Sequence, residues 1–322
     1  MTQSKYPRYT EGRLDPQSEL VLDQMAAANA PPMVTLTPQE SREQPFPAGW
    51  LGTPRQDVRI EKTTVPAGTH GIPIRIYTPT GAGPFPVLVF FHGGGFVAGA
   101  LNDFDPFCTF LAEDAACIVV SVDYRLAPEH KYPAAVDDAM AALDWVRAHA
   151  GDFHGDRTRI AVAGDSAGGN LAAVVSLRAR EHGAPSLLLQ VLICPWVDSS
   201  SFDTDSFRFF GDGLWLSKEA MCWYRNHYLC SPGQAFDTHV SPILAEDLSG
   251  LPPALVITAE FDVLRDQAEV YARRLQASGI PVTCTRYPGM LHDFALYPGL
   301  FDQACAAIGE ITAALRRAFA RI

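Results

Sequence analysis

Apolar and polar residues alternate from Asp57 to Lys62 and again from Ile72 to Thr78, the period of a half-buried strand. Pro86 to Phe91 (Pro-Val-Leu-Val-Phe-Phe) is instead an unbroken apolar run, as a strand covered on both faces requires. Three more such runs follow, at Cys117 to Val122, Arg159 to Ala163 and Leu187 to Ile193. Between them, Ala134 to His149 and Ala167 to Glu181 repeat apolar positions at every third or fourth residue, which predicts helices. Ala254 to Thr258 and Val282 to Tyr287 supply two last strands, with a helix over Asp266 to Ser278 between them and another over Phe301 to Phe319. Strands and helices in alternation predict an α/β fold: a mostly parallel sheet flanked by helices on both faces.

Two stretches break that rhythm. Residues 1–56 carry Pro31-Pro32 and Pro45-Phe46-Pro47 and no clear period, which predicts a loosely structured N-terminal arm. Residues 196–251 are rich in large apolar side chains (Phe202, Phe207, Phe209, Phe210, Leu214, Trp215, Trp223 and Tyr224) without the strand–helix alternation. They are either extra core under a long loop or a cap that roofs an apolar pocket, and the density of aromatics favours the cap. The expected organisation is one domain, formed by 57–195 and 252–322, with the segment 196–251 inserted into it.

One turn in this pattern carries chemistry. Gly164-Asp165-Ser166-Ala167-Gly168 fits Gly-x-Ser-x-Gly and falls between a strand and a helix, the setting in which a sharp turn lifts a serine hydroxyl above the sheet. A side chain at the flanking glycines would crowd so tight a turn. A serine hydroxyl is nearly inert at neutral pH unless a histidine takes its proton, and the histidine needs a carboxylate to fix its tautomer. With such an elbow the partners follow in the order serine, acid, histidine, and of the nine histidines only His292 lies beyond the strand at 254–258. Asp262, just past the end of that strand, is the favoured acid. Glu260 and Asp266 are its rivals, the first as a structural partner of the same loop and the second as a first-turn helix charge. His92-Gly93-Gly94-Gly95-Phe96 follows another strand end, where successive glycines let backbone N–H groups approach a substrate oxygen and form an oxyanion hole with the N–H of Ala167. A phosphate loop would also be glycine-rich, but no Lys-Ser or Lys-Thr follows. His92 is expected to hold this loop by a hydrogen bond. Phe96, Phe210, Leu214 and Trp215 are the expected lining of a substrate pocket.

Composition narrows the substrate more than the fold. The 322 residues carry 25 Lys and Arg against 36 Asp and Glu, a net charge of −11 with no basic cluster, which disfavours nucleic acid. Met1 to Tyr6 lead into polar sequence without an apolar signal-like core, and no run approaches the ~18 apolar residues of a membrane span. A soluble cytoplasmic protein acting on a small neutral molecule is the expectation. The seven cysteines are scattered and never in Cys-x-x-Cys, so they are expected to be reduced and mostly buried, and not to form a disulfide framework or a zinc site.

The segments His92-Gly-Gly-Gly-Phe96, Gly164-Asp-Ser-Ala-Gly-Gly169, Asp262-Val-Leu-Arg-Asp266 and His292-Asp-Phe294, with Tyr124-Arg-Leu-Ala-Pro-Glu129, together resemble the hormone-sensitive-lipase family of bacterial esterases. The resemblance runs from about residue 57 to the end. It implies an α/β-hydrolase fold with an eight-stranded, mostly parallel sheet, a helical cap built from the arm and the insertion, and no metal or cofactor. It implies Gly94, Gly95 and Ala167 as oxyanion donors, and an ester and water as substrates. Val263 stands where the family commonly has proline, and Asp293 where glycine commonly follows the histidine. The expected activity is hydrolysis of short- to medium-chain carboxylic esters by Ser166, Asp262 and His292. The same constellation serves amidases and deacetylases, while the gibberellin receptor, a binding protein on a similar scaffold, lacks the histidine present here. A homodimer through the last strand, Val282 to Tyr287, is a further implication of the resemblance.

Overall fold

A computed structural model describes residues 12–29, 31–44, 49–68 and 70–320. The opening Met1 to Tyr6 and the Pro45-Phe46-Pro47 run lie outside the described residues. The strands are β1 Arg59–Ala67, β2 His70–Thr78, β3 Phe85–Phe91, β4 Ile118–Val122, β5 Gly155–Asp165, β6 Gln190–Ile193, β7 Ala254–Phe261 and β8 Val282–Leu291. Among the described residues they form one eight-stranded sheet in the order β1-β2-β4-β3-β5-β6-β7-β8. β2 is antiparallel to both its neighbours, and every pairing from β4 to β8 is parallel. The expected sheet is therefore the observed one.

The helices are α1 Pro16–Ala28, α2 Pro38–Arg42, α3 Leu101–Ala115, α4 Ala134–His149, α5 Ala167–Glu181, α6 Asp205–Phe210, α7 Lys218–Tyr228, α8 Arg265–Ala277 and α9 Asp302–Phe319. Successive strand residues feed opposite faces of the sheet, as the two-residue period dictates. Val87, Val89 and Phe91 join the core that packs on α4, α5 and α8, whereas Leu88 and Phe90 join the one that packs on α3 and α9. Each such side chain, fully buried, contributes about 1.5–3 kcal/mol. The unbroken apolar run of β3 is the direct consequence of cover on both sides. No helix among the described residues is long and apolar enough to cross a membrane.

Three expectations are corrected. α3 was not anticipated, and it carries Pro106 in its interior. The helix tolerates it, and Phe104, Phe107 and Leu111 are buried against the sheet. Nor is the arm loosely structured where it is described. Asp15 caps α1 by accepting from Gln17 N at 2.9 Å, with Pro16 at the first helical position, and Ser18 Oγ donates to Gly289 O at 2.8 Å at the end of β8. Thr37 and Glu40 cap α2 reciprocally. The cysteines are not mostly buried: Cys108, Cys117 and Cys194 are, Cys222 is half-buried, and Cys230, Cys284 and Cys305 are exposed, with all seven free. Scattered spacing argues against cross-links, but it says nothing about which way a side chain points.

Strand limits moved for physical reasons as well. β1 runs on to Ala67 through Pro66, since a proline missing its N–H costs nothing on the outer side of an edge strand. β8 likewise extends past Pro288 to Leu291 at the other edge, so it delivers its chain directly to residue 292. The segment 196–251 holds α6, α7 and the 3₁₀ turns Pro232–Phe236 and Pro242–Leu244. The arm reaches the same region: its 3₁₀ turn Met33–Thr35 packs on α7. Arg42 of α2 donates to Val97 O at 2.7 Å and to Ala127 O at 2.8 Å, and forks onto Glu129 at 2.7 and 3.0 Å.

Candidate active site

The C-terminal ends of neighbouring parallel strands bring the predicted residues together. β3 ends at Phe91 and hands over to His92, β5 to Ser166, β6 to Cys194, β7 to Asp262 and β8 to His292. Ligands gather at this end of parallel sheets because the strands point there and the loops above them can vary. Ser166 sits between β5 and α5 with φ 51° and ψ −113°. An L residue at positive φ costs about 1–3 kcal/mol. The strain is held by Ser166 N donating to Ile193 O at 2.8 Å and Trp196 N donating to Ser166 O at 3.0 Å.

His292 Nε2 lies 3.1 Å from Ser166 Oγ, and its Nδ1 lies 2.8 Å from Asp262 Oδ2. The other oxygen of Asp262 accepts from Leu264 N at 2.9 Å, which fixes the carboxylate plane. The rivals are occupied elsewhere. Glu260 accepts from Gly289 N at 2.8 Å, and Asp266 accepts from Ser206 N at 2.7 Å and pairs with Arg265 at 2.9 Å. All three members of the chain Asp262–His292–Ser166 are buried, Ser166 to 6% exposure. Burial opposes charge on His292, but the carboxylates of Asp262 and Asp293 override it and hold its pKa well above that of ordinary imidazole.

Beside the serine, the glycine loop offers backbone donors. Gly93 N is taken by Asp165 Oδ1 at 3.0 Å, while Gly94 O closes the turn by accepting from Val97 N and Ala98 N at 3.0 and 2.9 Å. No described hydrogen bond uses the N–H groups of Gly94, Gly95 or Ala167, the last at the first position of α5. At Gly95 a side chain is excluded outright, because its Cβ would stand 2.2 Å from the ring of Tyr224. His92 is fully buried, and burial lowers its pKa to about 4, so it is neutral and its Nδ1–H donates to Gly93 O at 2.7 Å.

The motif at 124–129 is the scaffold of this loop, a role that its sequence did not reveal. Tyr124 Oη donates to His92 O at 2.7 Å and stacks on the His92 ring at 4.3 Å. Ala127 N donates to Phe96 O at 2.8 Å, Arg125 is forked onto the buried Asp138, and Glu129 holds Arg42. Only the fold brings the motif at 124–129 against residues 92–96, through the parallel neighbours β3 and β4.

Each of the four expected pocket residues packs on aromatic or core neighbours. Phe96 is buried, stacked on Tyr228 at 3.8 Å. Phe210 is buried against Phe261 at 5.3 Å, with Arg265 over its ring. Trp215 is half-buried and packs on Trp50 of the arm at 5.7 Å and on Tyr297 at 5.5 Å, and Leu214 is half-buried against the core. The sequence put Tyr224 in the insertion but could not place it over Gly95, and it did not single out Trp50 or Tyr297, which pack on Trp215. It also missed that Asp293 Oδ2 comes within 3.0 Å of His292 Nε2. The signal for Asp293 was its place where glycine is usual: its backbone is left-handed, with φ 55° and ψ 19°.

Cys194, Asp262 and His292 each present one donor atom within 4.8 Å of the others, the spacing of a metal cluster. The donors do not suit one. Asp262 and His292 are bonded to each other, and the remaining nitrogen of His292 lies against Ser166 Oγ.

A family model described as alpha/beta hydrolase fold matches residues 88–296. The carboxylic ester hydrolase LipN of Mycobacterium tuberculosis is 42% identical over 275 residues, which are 84% of this chain and 73% of LipN. An arylesterase of Saccharolobus solfataricus is 39% identical over 245 residues, 75% of this chain and 79% of its own. Among solved structures, a hyperthermophilic esterase from the archaeon Pyrobaculum calidifontis superposes with a TM-score of 0.90 at 38% identity, covering 95% of this chain and 98% of that one.

Proposed function

The chain belongs to the alpha/beta-hydrolase-fold family, in its hormone-sensitive-lipase-like branch, and from that premise we propose that it is a carboxylesterase with Ser166 as nucleophile, His292 as general base and Asp262 as its orienting acid. The observation that carries this reading is the continuous hydrogen-bonded chain from Asp262 Oδ2 through both nitrogens of His292 to Ser166 Oγ. Ser166 Oγ bonds to the ester carbonyl carbon as its proton passes to His292 Nε2, and the carbonyl oxygen becomes an oxyanion. Gly94, Gly95 and Ala167 N–H groups receive that oxyanion, each worth roughly 10²–10³ in rate. Collapse breaks the bond to the alcohol oxygen, which takes the proton from His292 and leaves. Water then gives a proton to His292 and attacks the acyl-serine, and the second collapse returns the proton to Ser166 and frees the acid.

The insertion 196–251 and the described arm together roof the serine in this reading. Tyr224 over Gly95 and Trp215 against Trp50 support it, since one aromatic contact comes from each part. A closed apolar roof suits short- to medium-chain acyl groups better than a lipid interface. Initial rates on p-nitrophenyl esters from acetate to palmitate should be highest at the short end and fall steeply beyond medium chains. A rate that rises towards palmitate would reject the enclosed pocket, and hydrolysis of p-nitroanilides in preference to esters would make the protein an amidase.

The free thiols of all seven cysteines support a reducing, cytoplasmic setting. The outer edge of β8, where Thr283, Cys284 and Arg286 are exposed, is the surface we assign to self-association, because an edge strand offers unpaired backbone groups to a second copy. Light scattering over a concentration series should show a dimer; a monomer mass at every concentration would reject that interface.

A further inference from the structure

His292 Nε2 has two neighbours: Ser166 Oγ at 3.1 Å and Asp293 Oδ2 at 3.0 Å. Asp262 takes the hydrogen on Nδ1, so a neutral imidazole presents a lone pair at Nε2. A carboxylate oxygen facing a lone pair at that distance is repulsive. The contact is not a directed hydrogen bond, so it is attractive only as an ion pair, with His292 protonated. We propose that Asp293 is a positioning residue whose carboxylate pairs with protonated His292 in the resting site, so that His292 must release a proton to solvent before it can accept the proton of Ser166. The proposal rests on the serine-hydrolase reading above.

The surroundings favour the ion pair. Asp293 is 8% exposed, and its Oδ1 has no hydrogen-bond partner among the described residues. Its left-handed backbone, φ 55°, is tolerated by aspartate and turns the carboxylate back towards the ring of the preceding residue. The other titratable groups facing the pair are Asp262 after β7, Asp165 at the end of β5, Cys194 after β6, Tyr224 of α7 and Tyr297 after the turn Phe294–Leu296. None of them can carry positive charge, so His292 is the one cation among these groups available to three carboxylates. Burial, and then the charge of Asp293, push the Asp165 carboxyl well above its ordinary range, as crowding of like charges requires.

The sign of the pH effect follows. Carboxylates around His292 stabilise the imidazolium, so the neutral imidazole that catalysis uses appears only as pH rises through the raised value and is lost as pH falls. Removing the Asp293 carboxylate weakens that hold and extends activity to lower pH.

The test is kcat/KM against pH for p-nitrophenyl acetate, read at the isosbestic wavelength of the phenol, with wild type, Asp293→Gly, Asp293→Asn and Ser166→Ala. Glycine and asparagine both accept a left-handed backbone, so both variants keep the turn. The wild-type acid limb should have its midpoint above about 6.5, the ordinary imidazole value, and both Asp293 variants should shift it down by about one unit or more. Coincident acid limbs in enzymes whose hydrolysis disappears with Ser166→Ala would overturn the role of Asp293 and leave the triad standing. Hydrolysis that survives Ser166→Ala would overturn the triad itself. Should neither Asp293 variant fold, the wild-type limb decides: a midpoint at or below the ordinary imidazole value rejects the ion pair.

Discussion

Ser166→Ala is expected to lower kcat for p-nitrophenyl acetate by about 10⁴–10⁶ while leaving KM within a few-fold, the pattern of a group that acts on the reacting bond and not on ground-state binding. Steady-state kinetics checked against the uncatalysed rate would measure it. A residual acceleration of about 10³ over water is expected to persist, since the N–H donors of Gly94, Gly95 and Ala167 do not depend on the hydroxyl. The variant should be as stable as the wild type. Among the described bonds Ser166 Oγ touches only His292, and alanine keeps the backbone bonds to Ile193 and Trp196 that hold the strained turn. A variant that loses activity together with its melting transition would mean that the hydroxyl is structural, and Ser166 would lose its place as nucleophile.

Gly168→Ala is expected to cost about 4 kcal/mol or more and to lower the melting temperature by about 10 °C, although it adds one methyl group two residues from the nucleophile. That Cβ would stand 1.9 Å from Phe91 O, 2.5 Å from Phe91 C and 2.6 Å from His92 O. All three are backbone atoms, so no rotamer change can make room. The first turn of α5 and the end of β3 must separate instead, which moves Ala167 away from the glycine loop and spoils any oxyanion hole between them. Thermal melting followed by circular dichroism, with kcat on whatever folded protein remains, tests both effects. An unchanged melting temperature with full activity would show that this close approach is not needed.

Much of the fold was legible because its signals are local. α4 and α5 begin and end where the apolar period does, at Ala134–His149 and Ala167–Glu181. The continuous apolar strands are continuous because helices cover both faces of the sheet. Signals failed near prolines and edges: α3 contains Pro106, the sequence pattern ends the last strand at Tyr287 although it runs on through Pro288, and ends the first at Lys62 although it runs on through Pro66. The arm misled for a related reason. Pro31-Pro32 and Pro45-Phe46-Pro47 carry the reading of a loose arm, whereas Pro16 and Pro38, which that reading leaves aside, open helices, where a missing N–H is no loss.

By itself the sequence determined the strand–helix rhythm, the serine turn and the order of its partners, because each of these is written in a few consecutive residues whose sterics or period admit one conformation. It could name Ser166, Asp262 and His292 as a set, since strand ends at β5, β7 and β8 must open on the same edge of a parallel sheet. It favoured Asp262 over Glu260 and Asp266 by position alone; the structure adds that Asp262 bonds to His292 while Glu260 bonds to Gly289 and Asp266 to Ser206. It could not show that Tyr124 supports His92, that Tyr224 closes over Gly95, or that Asp293 crowds the same nitrogen of His292 as the serine. Those contacts join residues distant in the chain, or turn a neighbouring side chain through a left-handed backbone. They depend on where packed helices and strands place atoms to within about an ångström, and no local pattern of polarity encodes that.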